Sequence, residues 1–65
     1  MNRGDRIVEF VGEYITQHGF SPSIREIGDA VGISSTSNVK YWIDKEVEDG
    51  RLTRKPKVAR SVRVA

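Results

Sequence analysis

Sixty-five residues make one domain whose core is small, with no room for a deep enzyme cleft. There is no Cys, so neither a disulfide framework nor a Cys-based metal site is available, and no apolar run is long enough to span a membrane. The net charge of +2 hides a strong polarity: residues 1–50 carry five bases and nine acids, whereas residues 51–65 carry six bases and no acid. A segment polarised in this way suits a polyanion.

No apolar stretch follows a basic start, so no signal peptide is read, and a cytoplasmic protein is expected. Asn2 followed by Asp5 reads as a helix start, with a capping side chain and then an acid where the helix dipole favours one. Ile7, Val8, Phe10, Val11, Tyr14 and Ile15 then form a broad apolar face. The first helix is expected over about Arg3 to His18, stopped by Gly19. His18 is the only histidine, and its place in a last turn fits the dipole better than it fits catalysis.

Phe20-Ser21-Pro22-Ser23 breaks that helix, since Pro22 biases Ser21 away from helical angles. Ser23 and Glu26 then match a capping box, and the second helix should run from Ile24 to about Val31. Gly28 is out of place inside it and costs about 1 kcal/mol relative to Ala, which points to close approach of a neighbour. Gly32 ends the helix, Ile33 plugs the corner, and Ser34-Ser35 opens the third helix with Ser35 as its cap. Helix, Gly-containing turn, helix is a helix-turn-helix pattern, here over about residues 24–44.

The third helix should reach about Asp49 and stop at Gly50. Its inner stripe is Val39, Trp42 and Ile43, and Glu46 falls where an apolar residue is expected. Glu46 must therefore accompany a loosened last turn, snorkel, or find a basic partner. The opposite side carries Ser37, Lys40 and Tyr41, with Asn38 at its edge, and no acid occurs between Asp29 and Asp44. Short hydrogen-bonding side chains and a cation on such a surface fit the major groove of DNA. Asn38 suits an adenine edge, Lys40 a guanine or a phosphate, and Tyr41 a phosphate or a thymine methyl.

Leu52 to Lys55 and Arg60 to Val64 alternate polar with apolar residues around a turn at Pro56 to Ala59. A basic β-hairpin over about residues 52–64 is expected, a wing that lies along a DNA backbone. The fold class is thus mainly α with a small β-hairpin, a three-helix winged helix-turn-helix.

The chain from Val8 to Val64 resembles the N-terminal DNA-binding domain of the LexA family of bacterial SOS-response repressors. The likeness lies in Tyr14-Ile15, Gly19-Phe20-Ser21-Pro22-Ser23, Glu26-Ile27 and Val31-Gly32. It continues in Ser35, Val39, Ile43, Gly50, Leu52 and Arg60-(x)-Val62-Arg63-Val64. The resemblance implies a transcriptional repressor that puts its third helix into the major groove of an operator half-site. The base-reading positions it implies are Ser35, Ser37, Asn38, Lys40 and Tyr41. The residues expected to grip the DNA backbone are Arg25, Ser34, Arg54, Lys55, Lys57 and Arg60. Partners implied are double-stranded operator DNA and a second copy of the chain on a palindrome; no membrane and no cofactor is implied.

This sequence departs from the common family pattern at Thr36, Gly28 and Glu46, where Pro, Ala and Leu are usual. The family's C-terminal Ser/Lys self-cleavage and dimerisation domain is not among these residues, so the chain is either a portion of such a protein or a small stand-alone relative. The alternative function is a winged-helix adaptor or antirepressor that presents Tyr41 and Trp42 to a protein. An enzyme is not expected: Glu9 and Glu13 read as a solvated face, and no Ser lies in a nucleophile motif.

Overall fold

A computed structural model of the chain describes residues 2–65. Three helices, α1 (Arg3–His18), α2 (Ile24–Val31) and α3 (Thr36–Glu48), precede strands β1 (Leu52–Thr53) and β2 (Arg63–Val64). The expected helices lie where the capping and stop residues put them. Asn2 accepts from the Asp5 amide at 2.8 Å, while the Asp5 carboxylate reaches back to the Asn2 amide. Ser23 and Glu26 do the same for α2, and Gly19 and Gly32 close α1 and α2 in left-handed conformations. Asp49 caps α3 and Gly50 turns the chain with φ 79°.

The helices surround one core. Ile7 and Val11 come from α1, Ile27 and Val31 from α2, Val39 and Ile43 from α3. Ile33 enters from the turn, as expected, and Leu52 and Val62 close the core from the wing. Trp42 differs from the expected inner stripe: it is half-buried at the rim, packed against the core on one side. By the helical period Trp42 is one edge of that face and Ile43 the other, with Val39 and Glu46 between them, so the indole falls at its border.

Gly28 is the close approach anticipated from its misfit. A Cβ there would lie 2.7 Å from the Ile33 carbonyl oxygen and 2.9 Å from Val39 Cγ2. The Gly28 carbonyl also accepts the amide of Ile33 at 2.9 Å, which draws the turn tight over α2. This contact brings the Ile33 turn and Val39 of α3 directly against α2.

Glu46 resolves in favour of a basic partner. It is 5% exposed, and its Oε1 accepts from Arg51 Nε at 2.5 Å. Arg51 also reaches Asp5 at 2.7 Å, so the start of α1 and the end of α3 share one guanidinium. Gly4 makes room for the carboxylate, since a Cβ at that position would collide with Glu46 Oε2.

The hairpin departs from expectation in the length of its strands. They are antiparallel, with Leu52 opposite Val64 and Thr53 opposite Arg63, but regular pairing covers two residues on each side. Lys57 (φ 64°) and Arg60 (φ 52°) leave the extended region. Ser61 replaces the missing rungs with its side chain: the hydroxyl accepts the Lys55 amide at 3.1 Å and is within donor range of the Lys55 and Val58 carbonyls. Val62 then drops into the core at 2% exposure, which breaks the strand path. No helix among the described residues is long and apolar enough to cross a membrane.

Candidate nucleic-acid interface

α3 presents its front half to solvent. Ser34, Ser35, Thr36, Ser37, Asn38, Lys40 and Tyr41 are all exposed, while Val39 and Ile43 on the reverse are buried. The 3.6-residue period puts Ser37, Tyr41 and Asp44 on one line, with Lys40 beside it and Asn38 at its border. Tyr41 is 56% exposed, braced edge-on by Trp42 at 5.7 Å with Lys45 Nζ 5.6 Å from its ring centre. The exposed phenol thus has an aromatic edge on one neighbour and a cation on another.

Ser35 caps the helix, its hydroxyl taking the Asn38 amide at 3.4 Å. That hydroxyl is therefore committed in part to the helix end. α1 and α2 each carry an acid in the first turn, Asp5 and Glu26, whereas α3 carries none. The positive end of the α3 dipole is left without an internal anion, a setting that favours an external one.

The wing stands on the same side. A cleft lined by Lys40, Arg54, Lys55, Lys57 and Arg60 runs between α3, the start of α2 and the wing, floored by Pro22, Ile24 and Val62. Among the described residues Arg25, Lys40, Lys55 and Lys57 have no acidic partner within 4.0 Å. Arg25 is exposed on the first turn of α2, and Ser34 on the turn before α3.

Two of the expected backbone cations sit differently. Arg54 is largely covered, with its Nη1 buried 3.5 Å from Asp44 Oδ1 and without a hydrogen-bond partner among the described residues. Arg60 stays exposed but lies against the body of the fold, where its Nη1 is 2.8 Å from Glu26 Oε1 and 3.2 Å from the Ser21 carbonyl oxygen. Sequence reasoning missed this cluster, because Glu26 and Arg60 are far apart in the chain and each already had a local reading.

The family model of the LexA DNA binding domain matches residues 1–61. The chain belongs to the LexA DNA-binding domain family. A LexA repressor of Corynebacterium diphtheriae is 44% identical over 62 residues, covering 95% of this chain and 26% of the relative. A LexA repressor of Mycobacterium sp. (strain KMS) is 45% identical over 58 residues, covering 89% of this chain and 25% of the relative. A third, from Ruminiclostridium cellulolyticum, is 33% identical over 63 residues, covering 97% and 29%. The chain thus spans about a quarter of the length of these curated relatives. Within the LexA family the exposed front of α3 and the basic cleft beside it belong to a domain described as DNA-binding.

Proposed function

We propose that the chain reads an operator half-site in double-stranded DNA and, in its cell, represses transcription as its LexA repressor relatives are named for doing. The observation that carries this reading is the acid-free, exposed front of α3 placed beside unpaired wing cations across one cleft. Ser37, Asn38, Lys40 and Tyr41 face the base edges of the major groove, with Ser35 at the rim. Arg25, Ser34, Lys55 and Lys57 meet phosphates, and Arg54 adds its charge from the base of the wing, beside Asp44. One domain offers few base contacts, so two copies on a palindrome supply the affinity that one lacks.

Selection of bound duplexes from a random pool gives the operator, its length and its symmetry. On that duplex Asn38→Ala is expected to cost about 1–3 kcal/mol and to relax preference at one base pair. Lys57→Ala is expected to weaken selected and unrelated duplexes alike. Failure of the chain to shift any duplex at low salt sinks the reading. A footprint over a single asymmetric half-site at full affinity removes the second copy.

A further inference from the structure

We propose that Arg60 is a positioning residue, a latch that fastens the wing to the helix-turn-helix through Glu26. The wing needs such a fastening. Its ladder has two rungs, and residues 54–62 between the strands form a loop whose tip carries Lys55 and Lys57. Ser61 ties that loop to itself through Lys55 and Val58, but those bonds do not fix where the loop points.

Val62 in the core and Arg54 beside Asp44 anchor the two ends of the loop, and Arg60 anchors its returning arm. Its Nη1 meets Glu26 Oε1 at 2.8 Å, the Ser21 carbonyl at 3.2 Å and Tyr14 Oη at 3.4 Å, and its Cζ lies 5.4 Å from the Phe20 ring centre. These groups come from α1, the turn after it, and α2. The Tyr14 hydroxyl donates to the other Glu26 oxygen at 3.2 Å, so both carboxylate oxygens are occupied. Glu26 Oε1 also takes the Ser23 amide at 2.7 Å as part of the capping box, which sets its position by the start of α2. The backbone at Arg60 is left-handed, φ 52°, in a residue with a side chain; such a conformation persists where the surroundings over-determine it. All three hydrogen bonds leave from Nη1, so one corner of the guanidinium is committed to the body of the fold.

The inference rests on the DNA reading, and its test has one arm with DNA and one without. Duplex affinity is measured for the parent, E26Q, K57A and the double variant at one salt concentration. Gln keeps the capping box and removes a negative charge, so long-range electrostatics alone makes E26Q bind as tightly as the parent or more tightly. The latch makes E26Q about two- to fivefold weaker and shrinks the effect of K57A in the E26Q background. E26Q binding as well as the parent, with the K57A effect undiminished, overturns the proposal.

Without DNA, amide hydrogen exchange is followed at Lys55 and Val58, whose amides bond to Ser61 and to Lys55 within the loop. Both are expected to exchange faster in E26Q while the amides of Val11 and Ile43 keep their protection. Unchanged exchange at the tip overturns the latch, whether or not any duplex binds. If E26Q also loses protection in the core, R60Q supplies the same reading. A parent chain that binds no duplex, with the tip loosened as expected, faults the DNA reading and leaves the latch standing.

Discussion

Gly28 and Glu46 are two residues where a local rule is broken for a reason that lies elsewhere in the fold. Gly28→Ala adds the better helix former, worth about 1 kcal/mol. The new Cβ would meet a backbone carbonyl that has no freedom to move without shifting α3. The substitution is therefore expected to destabilise the chain by about 1–3 kcal/mol net, seen as a lower urea midpoint at unchanged slope. Glu46 is buried, yet its partner Arg51 is 42% exposed in its side chain and keeps Asp5 as a second acid. Glu46→Leu is expected to be neutral or stabilising, whereas Glu46→Ala costs about 1–3 kcal/mol, with both variants compared in one denaturation series. The Gly28 contact was legible from a misfit alone, because glycine inside a strong helical pattern has few explanations. Glu46 was legible as a problem, but three answers were open until Arg51, across the Gly50 turn, was placed beside it.

At the level of elements, the helices followed from short-range chemistry. Asn2, Ser23 and Ser35 mark three starts, and Gly19, Gly32 and Gly50 mark three stops, all within reach of a reading along the chain. The wing did not follow in the same way. Its alternation predicted two longer strands, but the alternating pattern registers burial of Leu52 and Val62, not backbone pairing. The bonds that shape it, from Ser61 and Arg60, join residues by side chain and over long separations, where periodicity carries no information. Glu26 makes the joint sensitive to acid. The Ser23 amide first, and then Arg60 and the Ser23 hydroxyl, hold its carboxyl at about 2, below its ordinary 4.5. A depressed carboxyl stabilises the fold fully above about pH 4.5, and that contribution is lost as pH falls through about 2. Asp5, lowered chiefly by its hydrogen bond to Arg51, acts in the same direction. The unfolding midpoint is expected to decline below pH 4.5, and less steeply in E26Q, when thermal unfolding is followed from pH 2 to 6.

For the whole molecule, the distribution of charge matters more than its sum. The last fifteen residues hold six bases and no acid, and the fold sets several of them beside the front half of α3, which has no acid before Asp44. If Arg25, Arg54, Lys55 and Lys57 each neutralise a phosphate as proposed, the logarithm of the binding constant should fall with the logarithm of salt concentration at a slope of about −3.5 per domain bound. A titration between low and moderate salt checks this, and a flat response would contradict a backbone grip. The position of Trp42 gives that titration a readout. The chain has a single tryptophan, half-buried and in edge contact with the exposed Tyr41. Whatever touches the phenol from outside changes the surroundings of the indole behind it. The chain therefore carries an intrinsic fluorophore next to the proposed contact face, and emission should report occupancy with no dye attached.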